Sequence, residues 1–411
     1  MTVKVAILGF GTVGEGVYRT IQSHERELEA LLGKKVEVAA VLIQNKQKER
    51  NIAKEVLITT DFNELINLSQ LDIVVDAIVG KDPAFNYLKQ AIERGCHIIT
   101  ANKEMFAHHG KELLALAGEH QVSVGFEATV AGGIPIIQTL RQLLKVNRVG
   151  QIQGIVNGTS NFILTEMREK KQSFADALKL AQERGFAEAD PTNDVEGFDA
   201  FYKLMVLSRV AFGNEPDWKD VERVGITSIT SELIEAADQF GFRFKHVVSI
   251  QKEGDKLIGS VRPVLIRKSH PFYHVEGVEN ALNVYSDIVG RITLQGPGAG
   301  MFPTASAVIE DLVYVSQSNH DKKLEAYSVT EAIPSSNGSF NDFWLISGLS
   351  KTELSPSIPL VEQLSDQTFI VETTKEEILR KAKEYSSLSY YPILDGTQTF
   401  QNKKECITVS I

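Results

Sequence analysis

The chain has 411 residues, a formal net charge of −10 and a charged fraction of 23%, which is an ordinary composition for a globular protein. Its length allows two or three domains, each with an apolar core of its own. The acidic balance and the lack of a basic run argue against nucleic acid as a partner. No apolar run approaches the roughly 18 residues of a membrane span, so no membrane association is predicted.

The two cysteines, Cys96 and Cys406, are too few for a disulfide framework and are typical of a reducing compartment. Cys96 stands between a predicted helix and a predicted strand, where a core position is expected. The N-terminus enters an apolar strand without the charged and then apolar leader of a secreted protein. These features together predict a cytoplasmic protein.

The first predicted strand, residues 3–8, leads directly into a complete G-x-G-x-x-G motif. One predicted helix and a second strand, residues 36–43, follow. In this order Gly9, Gly11 and Gly14 allow the backbone to approach a pyrophosphate at the helix N-terminus, as in dinucleotide-binding domains. The alternative is a glycine-rich turn that binds no ligand.

The end of the second strand bears on which dinucleotide is bound. NAD-binding domains usually carry an acidic residue there for the ribose hydroxyl groups. Here residues 43–45 are Ile-Gln-Asn, and Lys46, Lys48 and Arg50 follow. A 2′-phosphate suits these basic residues, so NADP(H) is favoured over NAD(H). The same residues are equally typical of a solvated helix start.

Strands and helices continue to alternate up to residue 126, which predicts a nucleotide-binding domain over residues 1–130. The strands are predicted at residues 72–79, 97–100 and 122–126, and the helices at 83–94 and 105–119. Open α/β sheets bind ligands at the carboxyl ends of their strands. Lys103 follows such an end and is therefore a candidate contact for substrate or cofactor, although an ordinary lysine at a helix start is the alternative.

Two irregular loops follow this domain. Residues 127–135 contain Glu127, two glycines and a proline, and one carboxylate with several inward carbonyl groups would suit a hard cation. After a helix at 136–145 and a strand at 150–156, residues 157–161 (Asn-Gly-Thr-Ser-Asn) precede a helix at 162–170. These are good capping residues, and the same helix N-terminus could instead receive a substrate carboxylate.

The most informative stretch is an acidic loop followed by an apolar helix, residues 185–213. The loop carries Glu188 and Asp194, and the helix starts at about Asp199. Asp199 and Lys203 are four residues apart and share one helix face. A buried lysine has a tunable pKa and can transfer a proton, whereas a structural ion pair is the alternative.

The second domain is predicted over residues 131–315, with mixed helices and strands. Dense glycine at 296–300 indicates close backbone approach to a cofactor or to a helix. Residues from 316 onward are rich in turn-forming residues and predict a linker. A small module of strands and one helix is then predicted over 335–411.

Seven stretches together resemble the homoserine dehydrogenases, in the order of that family. They are residues 9–14, 100–104, 127–135, 154–164, 185–191, 194–204 and 296–300. The resemblance implies an α/β fold, with an N-terminal Rossmann domain and an α+β domain for catalysis and dimerisation. It also implies the NAD(P)H-dependent reduction of L-aspartate 4-semialdehyde to L-homoserine, in threonine and methionine biosynthesis.

The resemblance further implies the roles of individual residues. Lys203 would donate the proton in reduction, and Asp199 would orient the substrate and that lysine. Glu188 would bind the substrate ammonium group, with Thr159 and Asp194 also in the pocket. The residues expected to line the cofactor are Gly9, Phe10, Gly11, Thr12, Val13, Lys103, Gly185 and Gly300. Glu127 and the carbonyl groups of Val130, Gly132 and Ile134 would bind Na+, and the protein would be a homodimer.

The C-terminal module resembles an ACT domain only in part. Residues 368–380 resemble the later strand and helix of that regulatory domain. The Asp-x-Pro-Gly turn expected after the first strand is missing, because Gly-Leu-Ser-Lys follows residues 343–347. We therefore expect a shortened, degenerate ACT-like module, in which threonine feedback is doubtful.

Two other functions compete with this interpretation. An aspartate-semialdehyde dehydrogenase would need a cysteine nucleophile with a histidine base, and Cys96 is expected in a core. A catalytically silent NADP-binding regulatory protein is the second alternative. The presence of both Asp199 and Lys203 argues against it.

Overall fold

The computed structural model describes residues 2–317, 342–354 and 358–394. Three sheets organise these residues, and none of their helices is long and apolar enough to cross a membrane. The first sheet has six parallel strands in the order β3-β2-β1-β4-β5-β6, which is the strand order of a dinucleotide-binding fold. The strands are β1 (Thr2–Leu8), β2 (Lys35–Leu42), β3 (Leu57–Thr59), β4 (Ile73–Asp76), β5 (His97–Thr100) and β6 (Val124–Gly125).

Helices cover both faces of this sheet, and for this reason its central strands are almost wholly apolar. The helices are α1 (Thr12–Ser23), α2 (Glu25–Leu32), α3 (Phe62–Ile66), α4 (Ala84–Glu93) and α5 (Lys103–Glu119). The single helix predicted after the glycine motif is therefore two helices that meet at His24. Strands β4 and β6 are shorter than predicted, because β4 ends at Asp76 and β6 has only two residues.

The second sheet has the order β12-β11-β7-β9-β10-β8 and is antiparallel except for the pairing of β8 with β10. Its strands are β7 (Val149–Ile155), β8 (Glu222–Arg223), β9 (Phe242–Glu253), β10 (Lys256–Arg267), β11 (Glu279–Ser286) and β12 (Gly290–Pro297). The helices in this part of the chain are α6 (Ile136–Gln138), α7 (Gly158–Lys170), α8 (Phe174–Glu183), α9 (Thr192–Val195), α10 (Phe198–Phe212), α11 (Ser231–Gln239) and α12 (Met301–Gln317).

Helix α10 is the helix predicted to start at about Asp199. It packs on β9, β10 and α5, so it is enclosed on several sides and needs apolar residues around most of its circumference. Gly197 and Gly213 flank it in left-handed conformations, which are accessible to glycine without a steric penalty. The helix predicted at 136–145 is instead the short α6 followed by a π-helical turn, Thr139–Leu143.

Helix α12 returns to the first domain. Its buried residues join the core formed by β1 and α1, although the boundary predicted at residue 315 would assign it to the second domain. The approach to α1 is close, because a Cβ atom on Gly16 would lie 2.7 Å from the carbonyl oxygen of Met301. Ser316 and Gln317 lie in this helix and not in a linker, and residues 318–341 lie outside the described residues.

The third sheet belongs to the C-terminal module and has the order β14-β15-β13-β16. Its elements are β13 (Asp342–Ser347), β14 (Leu360–Ser365), β15 (Thr368–Thr373), α13 (Lys375–Glu384) and β16 (Ser389–Pro392). A bridge between Leu265 and Ile393 places the module beside β10. Cys96 is fully buried, which confirms its predicted core position, whereas Cys406 lies outside the described residues.

Candidate active site

Asp199, in the first turn of α10, is the centre of a buried charged cluster. One oxygen of its carboxylate lies 2.7 Å from Nζ of Lys203, and the other lies 2.9 Å from Nζ of Lys103. Asn157 adds a third donor, because its side-chain amide lies 2.9 Å from the carboxylate. The sequence therefore predicted the Asp199–Lys203 pair correctly, and the fold adds Lys103 from the end of β5.

Electrostatics distinguish the charged groups of this cluster. Burial alone would raise the pKa of Asp199, but Lys103 and Lys203 hold it well below its usual range. Burial lowers the pKa of Lys203, although Asp199 opposes that shift. Asp199 raises the pKa of Lys103, whose side chain is 43% exposed. Lys203 is thus the lysine whose proton is most easily released, and Lys103 stays a cation at the open side of the cluster.

A second carboxylate lies next to this cluster. Asp194, on α9, accepts a hydrogen bond of 2.7 Å from the side-chain amide of Asn157. Burial, and then the charge of Asp199, raise the pKa of Asp194. Asn157 therefore holds two carboxylates with one amide group, a role that the sequence analysis missed. The only local signal was its position after a strand, which suggested capping.

The N-terminus of α7 forms one wall beside these carboxylates. Asn157 caps that helix, since its side-chain oxygen accepts a hydrogen bond of 2.8 Å from the backbone N–H of Ser160. The hydroxyl group of Thr159 donates to the carbonyl oxygen of Phe186 at 2.7 Å and ties α7 to the acidic loop. Glu188 in that loop is exposed, and no described residue donates a hydrogen bond to its carboxylate. The structure thus brings Thr159 and Asp194 near the cluster, whereas Glu188 lies at the surface.

The glycine motif forms a cradle at the start of α1. Cβ atoms on Gly9 and Gly14 would lie 2.8 Å and 2.0 Å from backbone oxygens, whereas one on Gly11 would meet nothing within 4 Å. The open space therefore lies over Gly11, which is the N-cap of α1 and provides no side-chain cap to the helix. A pyrophosphate fits this cradle, because the first N–H groups of the helix need an acceptor.

The remaining predicted cofactor contacts lie at the ends of helices. Lys103 opens α5, Gly185 follows α8 with a φ of 73°, and Gly300 precedes α12 with a φ of 121°. Phe10, Thr12 and Val13 belong to the cradle around α1.

Basic residues border a cavity at the tip of β2. The cavity has a volume of about 530 Å³. Three basic residues and one acidic residue line it, with Asn51 and two isoleucines: Lys46, Lys48, Arg50, Glu49, Ile43 and Ile58. Arg50 donates hydrogen bonds to the carbonyl oxygens of Asn45 and Lys48, at 2.8 Å and 2.6 Å. Arg50 thus holds the loop in place, and the two lysines provide positive charge at its rim.

The loop predicted to bind a cation begins with Glu127. Its carboxylate accepts backbone N–H groups of Ile137 and Gln138 at 2.8 Å and 2.7 Å, so both oxygens already have donors. No described residue donates a hydrogen bond to the carbonyl oxygens of Val130 and Gly132, which are available ligands for a cation.

The conformation of this loop is unusual. Ala131 and Gly132 both have positive φ angles, 55° and 51°, and a positive φ is costly for alanine. The carbonyl oxygen of Ile134 accepts a hydrogen bond of 2.8 Å from Ile136. Within the described ranges no group of three or more acidic, histidine or cysteine side chains forms a metal site. A cation here would consequently depend on backbone carbonyl groups.

Comparison with known proteins decides the family. The homoserine dehydrogenase family model matches residues 135–313, and the model of the NAD-binding domain of homoserine dehydrogenase matches residues 9–127. The homoserine dehydrogenase of Bacillus subtilis is 43% identical over 315 residues, which are 76% of this chain and 72% of that protein. The enzyme of Neisseria gonorrhoeae is 42% identical over 315 residues, 77% of this chain and 72% of its own. The chain belongs to the homoserine dehydrogenase family.

Solved structures of homoserine dehydrogenases agree with this assignment. The enzyme from Thiobacillus denitrificans has a TM-score of 0.85 and 33% identity, and the match covers 96% of this chain and 99% of that one. A hyperthermophilic archaeal homoserine dehydrogenase in complex with NADPH has a TM-score of 0.67 and 29% identity, covering 77% and 98%. The protein is an NAD(P)-dependent oxidoreductase with homoserine dehydrogenase function, and nothing in the comparisons favours a silent regulatory protein.

Proposed function

We propose that Lys203 is the proton donor when L-aspartate 4-semialdehyde is reduced to L-homoserine. The observation that carries this proposal is the geometry of its ammonium group. Two of its donors are engaged, one by Asp199 at 2.7 Å and one by the carbonyl oxygen of Val156 at 2.6 Å. An ammonium group has three protons, so one remains for the substrate.

The reaction needs that proton at the oxygen of the substrate aldehyde. The bound cofactor supplies the hydride, and negative charge then develops on this oxygen. Lys203 stabilises the charge and transfers its proton, since burial makes that proton easier to release. Asp199 holds the amine in place during both steps. In homoserine oxidation the neutral amine of Lys203 takes the proton back.

The substrate also carries an ammonium group and a carboxylate. We propose that Asp194 and Glu188 bind the ammonium group, with Asp194 nearer to the charged cluster. The carboxylate would bind at the N-terminus of α7 beside Thr159, where helix N–H groups favour an anion. Lys103 supplies positive charge at the open side of the same cleft.

We propose NADP(H) as the preferred cofactor, with NAD(H) as a weaker alternative. Lys46 and Lys48 support this preference, since they border the cavity at the end of β2 where an NAD-binding domain would carry an acidic residue. The archaeal structure in complex with NADPH concerns a related protein with the same fold.

A structural Na+ ion is a further proposal. The available carbonyl oxygens of Val130 and Gly132 suit a hard cation, and Glu127 and Ile134 are the other predicted ligands. The carboxylate of Glu127 would serve mainly to cap the start of α6. Replacing Na+ by a bulky organic cation should lower the midpoint of thermal unfolding if the ion is bound.

We also propose a cytoplasmic homodimer that assembles through the second sheet. One face of this sheet carries a row of hydrogen-bonded polar side chains. Gln151 pairs with Gln251, Tyr285 with Gln153, and Thr293 with Asn283. Light scattering coupled to size exclusion measures the assembly, and a monomeric mass would contradict the proposal.

The C-terminal module is proposed to be a degenerate ACT-like fold. Its strand order, 2-3-1-4 within the module, is that of a β-α-β-β-α-β fold. The described residues between β13 and β14 contain no helix, so the first helix is lacking there. Because the expected effector turn is also missing, we expect no inhibition by threonine.

The central experiment measures homoserine oxidation and semialdehyde reduction with NADP(H) and NAD(H). The comparison is between the wild type and Lys203→Ala. We expect turnover in the wild type and a loss of about 10²-fold or more in the variant, the scale of a general acid–base group. Near-normal turnover in the variant would reduce Lys203 to a structural partner of Asp199 and make Lys103 the next candidate.

A further inference from the structure

The turn that starts α10 is held by one arginine from β8. Arg223 donates a hydrogen bond of 2.5 Å to the carbonyl oxygen of Glu196. Its guanidinium group also lies over the ring of Phe198, 3.6 Å from the centroid. These two residues flank Gly197, and Asp199 comes immediately after them. Arg223 therefore contacts the backbone and a side chain of the turn that places Asp199.

The turn has little freedom of its own. Gly197 has a φ of 78°, and a Cβ atom on it would lie 3.0 Å from the ring of His246. On the other side, a Cβ atom on Gly225 would lie 2.6 Å from the carbonyl oxygen of Val195. Since the turn is packed this closely against the segment after β8, a shift of Arg223 must be passed on to the start of α10.

Strand β8 is itself a weak element. It has two residues, lies at the edge of the second sheet, and pairs in parallel with β10 alone. Ion pairs of its side chains add contacts that so short a strand cannot make through its backbone. Glu222 lies 2.9 Å from Arg262 of β10 and 2.9 Å from Lys375 of the C-terminal module.

Arg262 also links Glu222 to the buried part of the C-terminal module. Its side chain is 7% exposed, and its guanidinium group lies 5.5 Å from the ring centroids of both Trp344 and Tyr390. A planar guanidinium group can stack on aromatic rings and bind a carboxylate at the same time, which lysine cannot do. The module thus fixes Glu222, and Glu222 precedes Arg223 in the chain.

We propose that Arg223 is a positioning residue for the dehydrogenase reaction, and that the C-terminal module fixes its position through Arg262 and Glu222. This inference rests on the proposed roles of Asp199 and Lys203. It gives the module a mechanical role that needs no effector. The module holds β8 in place, and β8 holds the turn that starts α10.

The first test replaces Arg223 by Gln and by Lys in the full chain. Both variants lose the guanidinium group that stacks on Phe198 and donates to Glu196. The Lys variant keeps the positive charge and provides a second test in case the Gln variant fails to fold. We expect kcat to fall by about 10-fold or more, because small displacements of catalytic groups are costly, while KM for the cofactor stays unchanged. Arg26→Gln, an exposed change on α2, is the matched control.

The pH profile separates positioning from general stability. If Asp199 moves away, Lys203 loses a group that favours its charged form, and its pKa falls further. Reduction needs the charged form, so the alkaline limb of its kcat profile should move to lower pH in Arg223→Lys. A lower kcat with an unmoved limb, or with a loss of activity that follows the unfolded fraction, would overturn the positioning role.

The second test examines the link to the module with Arg262→Lys. This variant keeps a cation for Glu222 but loses the contacts with both rings. We expect kcat of Arg262→Lys to fall less than kcat of the Arg223 variants. Adding Arg262→Lys to Arg223→Gln should cause no further fall, since both residues act through the same turn. Fully multiplicative effects would overturn the role of the module.

A wrong proton donor and a wrong positioning role give different experimental results. If Lys203→Ala retains activity, the proposed proton donor is wrong. If Lys203→Ala is inactive but both Arg223 variants keep the wild-type kcat and pH profile, the positioning role alone is wrong.

Discussion

Lys103 and Lys203 bind the two different oxygens of one carboxylate, that of Asp199. They come from different domains, Lys103 from the end of the parallel sheet and Lys203 from α10. The carboxylate therefore joins the nucleotide-binding domain to α10, the helix that carries the proposed proton donor. Its charge also offsets two cations that would otherwise repel one another.

Asp199→Asn should disable the site without changing its size. The negative charge of Asp199 keeps Lys203 protonated and offsets the repulsion from Lys103. An amide lacks this charge, so the pKa of Lys203 should fall further. We expect kcat for reduction to fall by about 10²-fold and its alkaline limb to move to lower pH. The measurement is kcat against pH with saturating NADPH.

Asp190→Asn is the control, because this carboxylate lies in the same acidic loop but is exposed. Its kinetic constants should match the wild type. An unmoved alkaline limb in Asp199→Asn would show that Lys203 does not govern the proton transfer.

Asn157 donates hydrogen bonds to both Asp194 and Asp199. Two different replacements of it distinguish its contribution to the cap of α7 from its contribution to turnover. Asn157→Asp keeps an oxygen that can cap α7 but replaces the amide donor by a third carboxylate. Asn157→Ala removes both cap and donor. We expect kcat/KM to fall by about 10-fold or more in both variants, and only the alanine variant to lose the cap contribution of about 1 kcal/mol.

Steady-state kinetics and urea unfolding of the two Asn157 variants provide the comparison. Ser173→Ala, which removes the cap of α8, serves as a control for loss of stability alone. If Asn157→Asp keeps wild-type kcat/KM, the bridge between Asp194 and Asp199 has no catalytic role.

The sequence predicted one pair of this site, Asp199 with Lys203, but not the other contacts of the cluster. Asp199 and Lys203 could be paired because a helix fixes their separation at one turn. Lys103 reaches the same carboxylate from the first domain, and Asn157 reaches it from a distant point of the second domain. No local pattern encodes such contacts. Glu188 was predicted from the resemblance as a contact of the substrate ammonium group, yet its side chain lies at the surface, and that role stays a prediction.

The fold, too, could be predicted only where it depends on residues close together in the sequence. The order of strand, glycines and helix predicted the parallel sheet, since each part is local in sequence. The packing of α12 on α1 and β1 was not predictable, because an apolar helix does not reveal which domain covers it. The pairing of the two-residue β8 with β10 likewise depends on partners distant in the chain.

Cofactor preference should respond to Lys46 and Lys48. Replacing both by Gln removes positive charge beside the cavity at the end of β2 and leaves the loop bonds of Arg50 in place. We expect KM for NADPH to rise by about 10-fold, the effect of losing roughly 1.4 kcal/mol of charge interaction, and KM for NADH to stay unchanged. Lys54→Gln, an exposed residue beyond the loop, is the control. Equal changes for both cofactors would place the 2′-phosphate elsewhere.

His246 should make the protein sensitive to acid. Burial lowers the pKa of this histidine to about 4, and its Nε2 atom lies 3.0 Å from the carbonyl oxygen of Val224. The folded state therefore holds a neutral ring, while the unfolded chain binds a proton below its ordinary pKa of about 6.5. The stability that His246 contributes is then complete above pH 6.5 and is lost as the pH falls from 6.5 toward 4. The slope approaches about 1.4 kcal/mol per pH unit.

His246→Gln keeps an N–H group for Val224 and does not titrate. We expect its midpoint of thermal unfolding to decline less than that of the wild type between pH 6.5 and pH 4.5, even if it starts lower at pH 7.5. His120→Gln, an exposed histidine at the end of α5, should decline as the wild type does. Parallel declines in all three proteins would mean that His246 binds a proton in the folded state. Because this ring packs on Gly197, the same variant also reports whether the turn that starts α10 tolerates a change on that side.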